Sequence, residues 1–357
     1  MTTTSTAASL PDKDTILAIP ADMPSGLFDA TDEEGIKAKY RDLCRVWHPL
    51  ADHGDADAAK VFAHISTLYK LAKARLGISV TAPGAETLRI AATGKVYNIK
   101  YRRRHVTDTG FLYTGDQLVT YHFTPDNEDL AKAARKNIAK FSYANAAMEK
   151  ECARYLPKMK AFLETKDGAY LIIEKTPDLI LLRDVLDYCK GKMDPRHAAW
   201  VINSLLNLGC YLSWAGMTHN AISLDSYFIS PRHHSGALLG GWEFAAPIGA
   251  KLAALPHRSQ MIASSASGDV FTADPKLDQK LIRALGRELM GDPSGIILRS
   301  DKHVPHALAH WLCEGAAHEA AVKVYKKFDA SVLKAAFGPK KFVKWEAGAK
   351  EIYSRGK

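Results

Sequence analysis

The hydrophobic period changes twice along this chain, and those changes limit the folds open to it. Up to about Gly77 the apolar residues recur at helical spacing. From Lys95 to about Glu174 they come in short runs. YNIKYRRRH, GFLYTGD and QLVTYHF are bounded by the turn signals Thr109-Gly110 and Gly115-Asp116, which predicts three strands. A helix carrying Met148, Cys152, Tyr155 and Leu156 follows. Two more strands, Lys160–Glu164 and Ala169–Glu174, meet at Lys166-Asp167-Gly168. Helical spacing then returns in Leu181–Cys189, Pro195–Ala215, Leu277–Met290, Pro305–Lys327 and Ala330–Phe337. Strands enclosed between helical regions, with no internal repeat, predict an α+β chain.

Composition narrows the class. Of 357 residues, 47% are hydrophobic and 24% charged, as in ordinary globular proteins. No apolar run approaches the ~20 residues that cross a bilayer, so a membrane partner is not expected. MTTTSTAASLPDKD lacks a signal-peptide pattern. Cys44, Cys152, Cys189, Cys210 and Cys313 are scattered and odd in number, which favours reduced thiols in the cytoplasm. The net charge is +9. From Ala320 to Lys357, nine Lys and one Arg stand against Asp329, Glu346 and Glu351, a local charge of +7. A basic end attracts nucleic acid or an acidic protein, but no nucleic-acid motif accompanies it, and a solvated helical face accounts for it more simply.

Six spans follow from these signals: a flexible tail (1–24), a helical hairpin (25–78), a linker (79–94), a strand-rich lobe (95–176), a helical lobe (177–316) and a basic helical extension (317–357). In the hairpin, Thr31 and Glu34 have capping-box spacing, and Ile36, Tyr40, Leu43, Cys44 and Trp47 share one helical face. Pro49 ends that helix near His48. A second helix runs from about Ala56 to Leu76, with Gly77 as its terminator. Ser79 to Gly94, rich in Ala, Thr, Gly and Pro, is the predicted linker. Two helices joined by His-Pro, in YRDLCRVWHPL and AKVFAHISTLYKLAKARL, resemble the J-domain of the DnaJ co-chaperones over about 50 residues, Ser25 to Gly77. The family signature is His-Pro-Asp, and its Asp serves to stimulate an Hsp70 ATPase. Here the triplet is His48, Pro49 and Leu50, with Asp52 two residues late. The resemblance implies a J-like fold and leaves a host Hsp70 partner open.

From Lys95 to Phe342 the chain resembles the protein-kinase superfamily, in the manner of divergent kinase-like proteins of bacterial and phage genomes. The resemblance rests on element order and on THNAISLDSYFIS, Thr218 to Ser230. It has the shape of the catalytic loop His-Arg-Asp, four residues, Asn. His219 takes the His position and Asn220 replaces Arg; Ala221 stands for the Asp and Ser226 for the magnesium-binding Asn. ALLGGWEFA matches the Asp-Phe-Gly region, with Gly241 at Asp, Trp242 at Phe and Glu243 at Gly. On the third strand His122 falls at the Lys position, since no Lys occurs between Lys100 and Lys132. The helix Glu is Glu149 or Glu151. The phosphate-loop equivalent carries only Gly110 and Gly115, and Arg102-Arg103-Arg104 reads as a solvated edge strand before it reads as an anion site. DQKLIRALGRELMGD is similar to the large-lobe helix whose leading acid, here Asp278, bonds the catalytic-loop backbone; a solvated carboxylate at a helix N-terminus is the plainer alternative.

Four catalytic positions, His122, Ala221, Ser226 and Gly241, thus lack their chemistry together. The expectation is a bilobal kinase-like fold without catalysis: a pseudokinase scaffold or adaptor that binds a protein partner in a host cytoplasm. No cofactor is expected, and ATP binding in a vestigial cleft stays open. An atypical phosphotransferase would instead hold a metal on Glu243 or Asp225 and phosphate on His122 with Arg103 or Arg104. A co-chaperone would act through His48, and a nucleic-acid-associated protein through Lys340 and Lys341. His303, His306, His310 and Cys313 have helical spacings that suit zinc, but an ordinary packing helix is favoured there, so no metal is expected. His233-His234 reads as an exposed loop pair.

Overall fold

The computed structural model describes residues 11–20, 24–28, 33–47, 57–77, 84–89, 96–264, 271–345 and 347–354. The chain divides into two compact units, Met1–Ser79 and Val80–Lys357. His48, Pro49, Leu50 and Asp52 lie outside the described residues, as does Thr31.

The first unit holds α1 (Lys13–Ala18), α2 (Glu33–Trp47) and α3 (Ala58–Gly77). Helix α1 lies inside the stretch expected to be a flexible tail. Asp12 caps it by accepting the Thr15 N–H, and Ile16 is fully buried with Leu27, Phe28, Ile36, Leu43, Val61, Ile65, Leu68 and Ala72. One buried isoleucine in a six-residue helix is too short a period to see in sequence. Tyr40 on α2 stacks on Tyr69 of α3 with centroids 3.8 Å apart, and His64 bonds the Ile19 carbonyl, tying the end of α1 to α3.

The second unit begins with a correction. The predicted linker contains β1 (Gly84–Arg89), which pairs antiparallel with β2 (Val96–Tyr101), Gly84 opposite Tyr101. Cross-strand pairing makes a strand of a segment whose own composition is weak. YNIKYRRRH is two strands, because the chain turns at Arg102 into β3 (Arg103–Thr107). Next come β4 (Gly110–Thr114), β5 (Leu118–Phe123), α4 (Glu128–Ile138), α5 (Ala146–Cys152), β6 (Lys158–Thr165) and β7 (Gly168–Glu174). Strands β3-β4-β5-β7-β6 form one antiparallel sheet in that order. Two helices, rather than the single one expected, separate β5 from β6. The missed one, α4, buries Ala131, Ala134 and Ile138. Its signals were present: Pro125 ahead of it, Glu128 and Asp129 in its first turn, Arg135 and Lys136 in its last.

The helical lobe follows: β8 (Ile180–Leu181), α6 (Leu182–Tyr188), α7 (Pro195–Trp214), β9 (Met217–Thr218), β10 (Tyr227–Ser230), β11 (Ser235–Leu238), β12 (Ala246–Pro247), α8 (His257–Ser264) and α9 (Pro275–Leu289). Asp194 and Asp274 cap α7 and α9 through their side chains, each with Pro at the first helical position. The predicted helix Pro305–Lys327 is interrupted: α10 (His306–Cys313) and α11 (Ala321–Lys327) are separate. A π-helical stretch, Phe328–Leu333, leads into α12 (Lys334–Phe337), and α13 (Ala349–Ser354) ends the described chain. One apolar core runs through both lobes of this unit, from Leu112 and Phe123 in the sheet to Leu205, Leu285 and Phe328 in the helices. Among the described residues no helix is long and apolar enough to cross a membrane.

Candidate functional site

The loop after β9 is held from below by one carboxylate. Asp278, buried in the first turn of α9, accepts the backbone N–H of His219 at 2.8 Å and of Asn220 at 2.7 Å. Burial pushes its pKa up to about 6, against the pull of those two donors. Asn220 takes a left-handed φ of 63° and donates to Thr218 Oγ1 and the Phe244 carbonyl. His219 is fully buried. Its Nε2 lies 2.9 Å from the Gly240 carbonyl, and its Nδ1 receives the Ala221 N–H. That pairing requires a neutral ring protonated on Nε2, and burial lowers its pKa to about 3. Ser226 turns its hydroxyl back into the loop, onto the Ser223 carbonyl, while its own carbonyl receives the N–H groups of Leu239 and Gly240. It closes a turn.

The segment Gly240–Phe244 crosses above that loop. Trp242 packs edge-on to His219 with centroids 4.9 Å apart and donates its indole N–H to the Leu238 carbonyl. Gly241 has φ +81°, and a Cβ there would meet His219 Cε1 at 2.7 Å and the Ala221 methyl at 2.9 Å. A Cβ on Gly240 would lie 2.3 Å from Tyr121 Oη. The small-lobe residue that reaches this segment is therefore Tyr121. Side chains alternate along a strand, so His122 faces away from it. His122 stacks flat on Tyr170 (4.1 Å) and on Phe111, with Nε2 on the Asp167 carbonyl. Tyr121, one residue before the position matched in sequence, is the one that faces the segment. The phenol of Tyr121 is buried without a hydrogen-bond partner among the described residues. Burial, then the charges of Glu243 and Asp225, push its pKa far up.

Helix α4 closes the back of the site. Asn137 donates to the carbonyls of Trp242 (2.9 Å) and Ala245 (2.8 Å), so an amide fastens this helix to the segment. Glu149 and Glu151, the expected helix acids, lie exposed on α5, with Glu151 paired to Arg154. Sequence reading missed Tyr121 and Asn137. A period-2 count through the buried strand would have found the first; a lone Asn near a helix end carries no signal for the second.

The cations and glycines of the small lobe are used internally. Arg102 forms a two-pronged pair with Asp116. Arg103 is 8% exposed and donates to the Ile352 carbonyl, while Arg104 lies 3.9 Å over the Phe111 ring. Arg102 is the solvated edge cation expected, paired with Asp116 at the surface, whereas Arg103 and Arg104 are drawn into packing. Gly110 has no room for a Cβ, which would sit 2.1 Å from the His122 carbonyl oxygen, so it serves the sheet. The turn before it is pinned to the helical lobe, where Asp108 accepts the His257 N–H at 2.9 Å. At the junction of the lobes, Lys175 gives its ammonium to the carbonyls of Asp116, Thr176 and Leu179, and burial lowers its pKa to about 8.

Two carboxylates remain near the cleft. Asp225 is gripped on both oxygens by Arg183; burial works to raise its pKa, but that cation holds it below the usual range. Glu243 is half-buried, and its surroundings, with the charge of Asp108 added, push its carboxyl up to about 7. His306 and His310 share α10, His310 pairs with Glu314, and the Cys313 thiol donates to the Gly295 carbonyl. His234, expected to be an exposed loop residue, stacks on Trp200. Among the described residues no group of three or more His, Cys, Asp or Glu could hold a metal ion. Where a kinase has a cation, two acids and an amide, the site thus presents a phenol, a glycine, a methyl group and an inward-turned hydroxyl.

No family model matches the chain, and no curated protein matches it. Among solved structures it is similar to vaccinia related kinase 3, at 14% identity and a TM-score of 0.45, over 72% of this chain and 92% of that one.

Proposed function

We propose that the Val80–Lys357 unit is a protein-kinase-like domain without phosphotransfer activity, and that the protein works by binding a protein partner. One observation carries the reading. Tyr121 Oη fills the space in which a side chain on Gly240 would lie, so among the described residues a buried phenol rather than a cation faces the segment there, and Glu243 is the one carboxylate the segment carries. Phosphoryl transfer depends on charge placed at that centre, by metal-binding oxygens and a phosphate-binding cation. The sheet order β3-β4-β5-β7-β6 and the Asp278 support of the loop agree with the kinase-like fold the sequence resembles. The five thiols, all free, agree with a reducing cytoplasmic setting.

The direct test is incubation of the purified chain with labelled ATP and either magnesium or manganese, with and without a generic protein acceptor. No transfer above a metal-free blank is expected. A second reading, atypical phosphotransfer, is favoured by Glu243 alone, because a carboxyl shifted to about 7 beside a cleft marks functional sites more often than chance. Metal-dependent transfer abolished by Glu243→Gln would establish it and remove the first reading. For the N-terminal unit an Hsp70 partner is part of the proposal, and stimulation of an Hsp70 ATPase, lost in His48→Gln, would be its mark.

A further inference from the structure

The mouth of the cleft, between β3, β4 and α6, is lined by polar groups whose bonding is incomplete. His105 on β3 and Asp184 on α6 are 4% and 1% exposed. Nε2 of the one stands 3.1 Å from Oδ1 of the other without the alignment of a hydrogen bond, the remaining His nitrogen has no partner among the described residues, and Asp184 has only the loosely aligned Tyr353 hydroxyl beside it. Native proteins seldom leave such groups buried and unmatched without a functional reason. What covers them is the end of the chain. Ile352 of α13 is 1% exposed, and its carbonyl receives Arg103. Tyr353 lies under the Arg103 guanidinium at 5.9 Å and beside Thr114, Asp184 and the Leu181 backbone.

The path to that point is fastened as well. Gly338, at φ +70°, ends α12, and Lys340 pairs with Asp329. Phe342 packs on His234 at 4.3 Å and Trp345 on His197 at 4.4 Å, both over the start of α7 or the loop beside it. The Gly348 N–H bonds Glu351 as α13 begins.

We infer that residues 338–345 and 347–354 form a strap that closes the cleft in cis, with Tyr353 filling its mouth, and that releasing the strap exposes His105, Asp184 and Arg103 to a ligand from solution. The inference rests on the kinase-like reading of the cleft but not on whether the cleft transfers phosphate. Ring contacts, a single pair at Lys340 and one short helix hold the strap, with Ala347 and Ile352 its buried contributions to the core that also forms the cleft walls; a short element with few core residues opens at lower cost than the long core helices.

Two full-length variants test it. Trp345→Ala loosens the strap far from the cleft, and Tyr353→Ala empties the mouth directly. Amide hydrogen exchange is read at Leu181–Val185 and at β3, and thermal melting is read with and without ATP as the probe. Both variants should speed exchange at Leu181–Val185 by about tenfold or more while α7 and α9 stay protected. Both should also gain an ATP-dependent rise in melting temperature that the wild type lacks. The strap is overturned if residues 349–354 already exchange like a free peptide in the wild type. It is equally overturned if Trp345→Ala leaves Leu181–Val185 at the wild-type rate. Phosphate transfer by the wild type would refute the inactive reading and leave these exchange results unaffected.

Discussion

Replacing His219 by Gln should change how the second unit responds to acid, and the change can be worked out beforehand. The ring is neutral in the folded protein, with Nε2–H directed at the Gly240 carbonyl and Nδ1 accepting from Ala221. Its pKa falls from 6.5 to about 3 on burial. The unfolded chain therefore takes a proton on this residue first as pH falls. Stability supplied by the neutral ring is complete above 6.5 and drains away on acidification towards 3. Linkage sets the slope at about 1.4 kcal/mol per pH unit, so moving from pH 7.5 to pH 5 costs about 2 kcal/mol through this one group. Asp278 and Glu243 act in the opposite sense. Their folded pKa values, about 6 and about 7, lie above the ordinary 3.8 and 4.5, so the folded state protonates first and gains as pH falls. Total stability is thus a poor readout, and the difference between wild type and variant is the useful one. Gln keeps a donor and an acceptor but does not titrate. The variant, less stable at pH 7.5, should recover about 2 kcal/mol relative to wild type by pH 5. Exchange of the slowest amides in α7 and α9 measures this unit's stability whatever the N-terminal unit does. Parallel pH profiles for the two proteins, or an imidazole resonance of His219 titrating near 6.5, would refute the reasoning.

Three further outcomes are expected. Asp278→Ala strands two buried backbone donors and should cost about 2–5 kcal/mol, read as a loss of protection at His219 and Asn220 beyond any fall in global stability. Asn137→Ala frees the carbonyls of Trp242 and Ala245 and should cost about 1–3 kcal/mol, with faster exchange at Phe244 and Ala245; unchanged melting would mean that α4 is fixed by its apolar face alone. Gly209→Ala, inside α7 where a Cβ meets nothing within 4 Å, should stabilise by about 0.5–1 kcal/mol in the same melting assay.

Legibility in the sequence followed the length and cleanness of each period. Helices α7 and α9 are long, amphipathic and marked by Asp-Pro starts, and they lie within two residues of where the spacing placed them. The strands of the small lobe were visible because Gly110, Gly115 and Gly168 punctuate them. Helix α1 rests on one buried isoleucine and β1 on pairing with a strand across a turn, and neither leaves a local pattern. Helix α4, by contrast, was written in capping charges that the strand-like run before it obscured. The site was harder. The strand match put His122 at the Lys position for want of any Lys between Lys100 and Lys132, whereas direction along a strand is decided by parity, and parity turns Tyr121 toward Gly240. The roles of Asn137 and Tyr353 depend on partners more than a hundred residues away, a distance at which pattern carries nothing.

Tyr121 and Gly240 also limit how this site can change. A ring at one position and any side chain at the other exclude each other in this packing, since a Cβ at 240 would stand 2.3 Å from the buried phenol oxygen. A lineage can enlarge residue 240 only after residue 121 has shrunk. A single substitution at 240 therefore meets a steric barrier in this packing. The two positions are thus coupled: Gly240→Ala should be tolerated only together with a smaller side chain at 121.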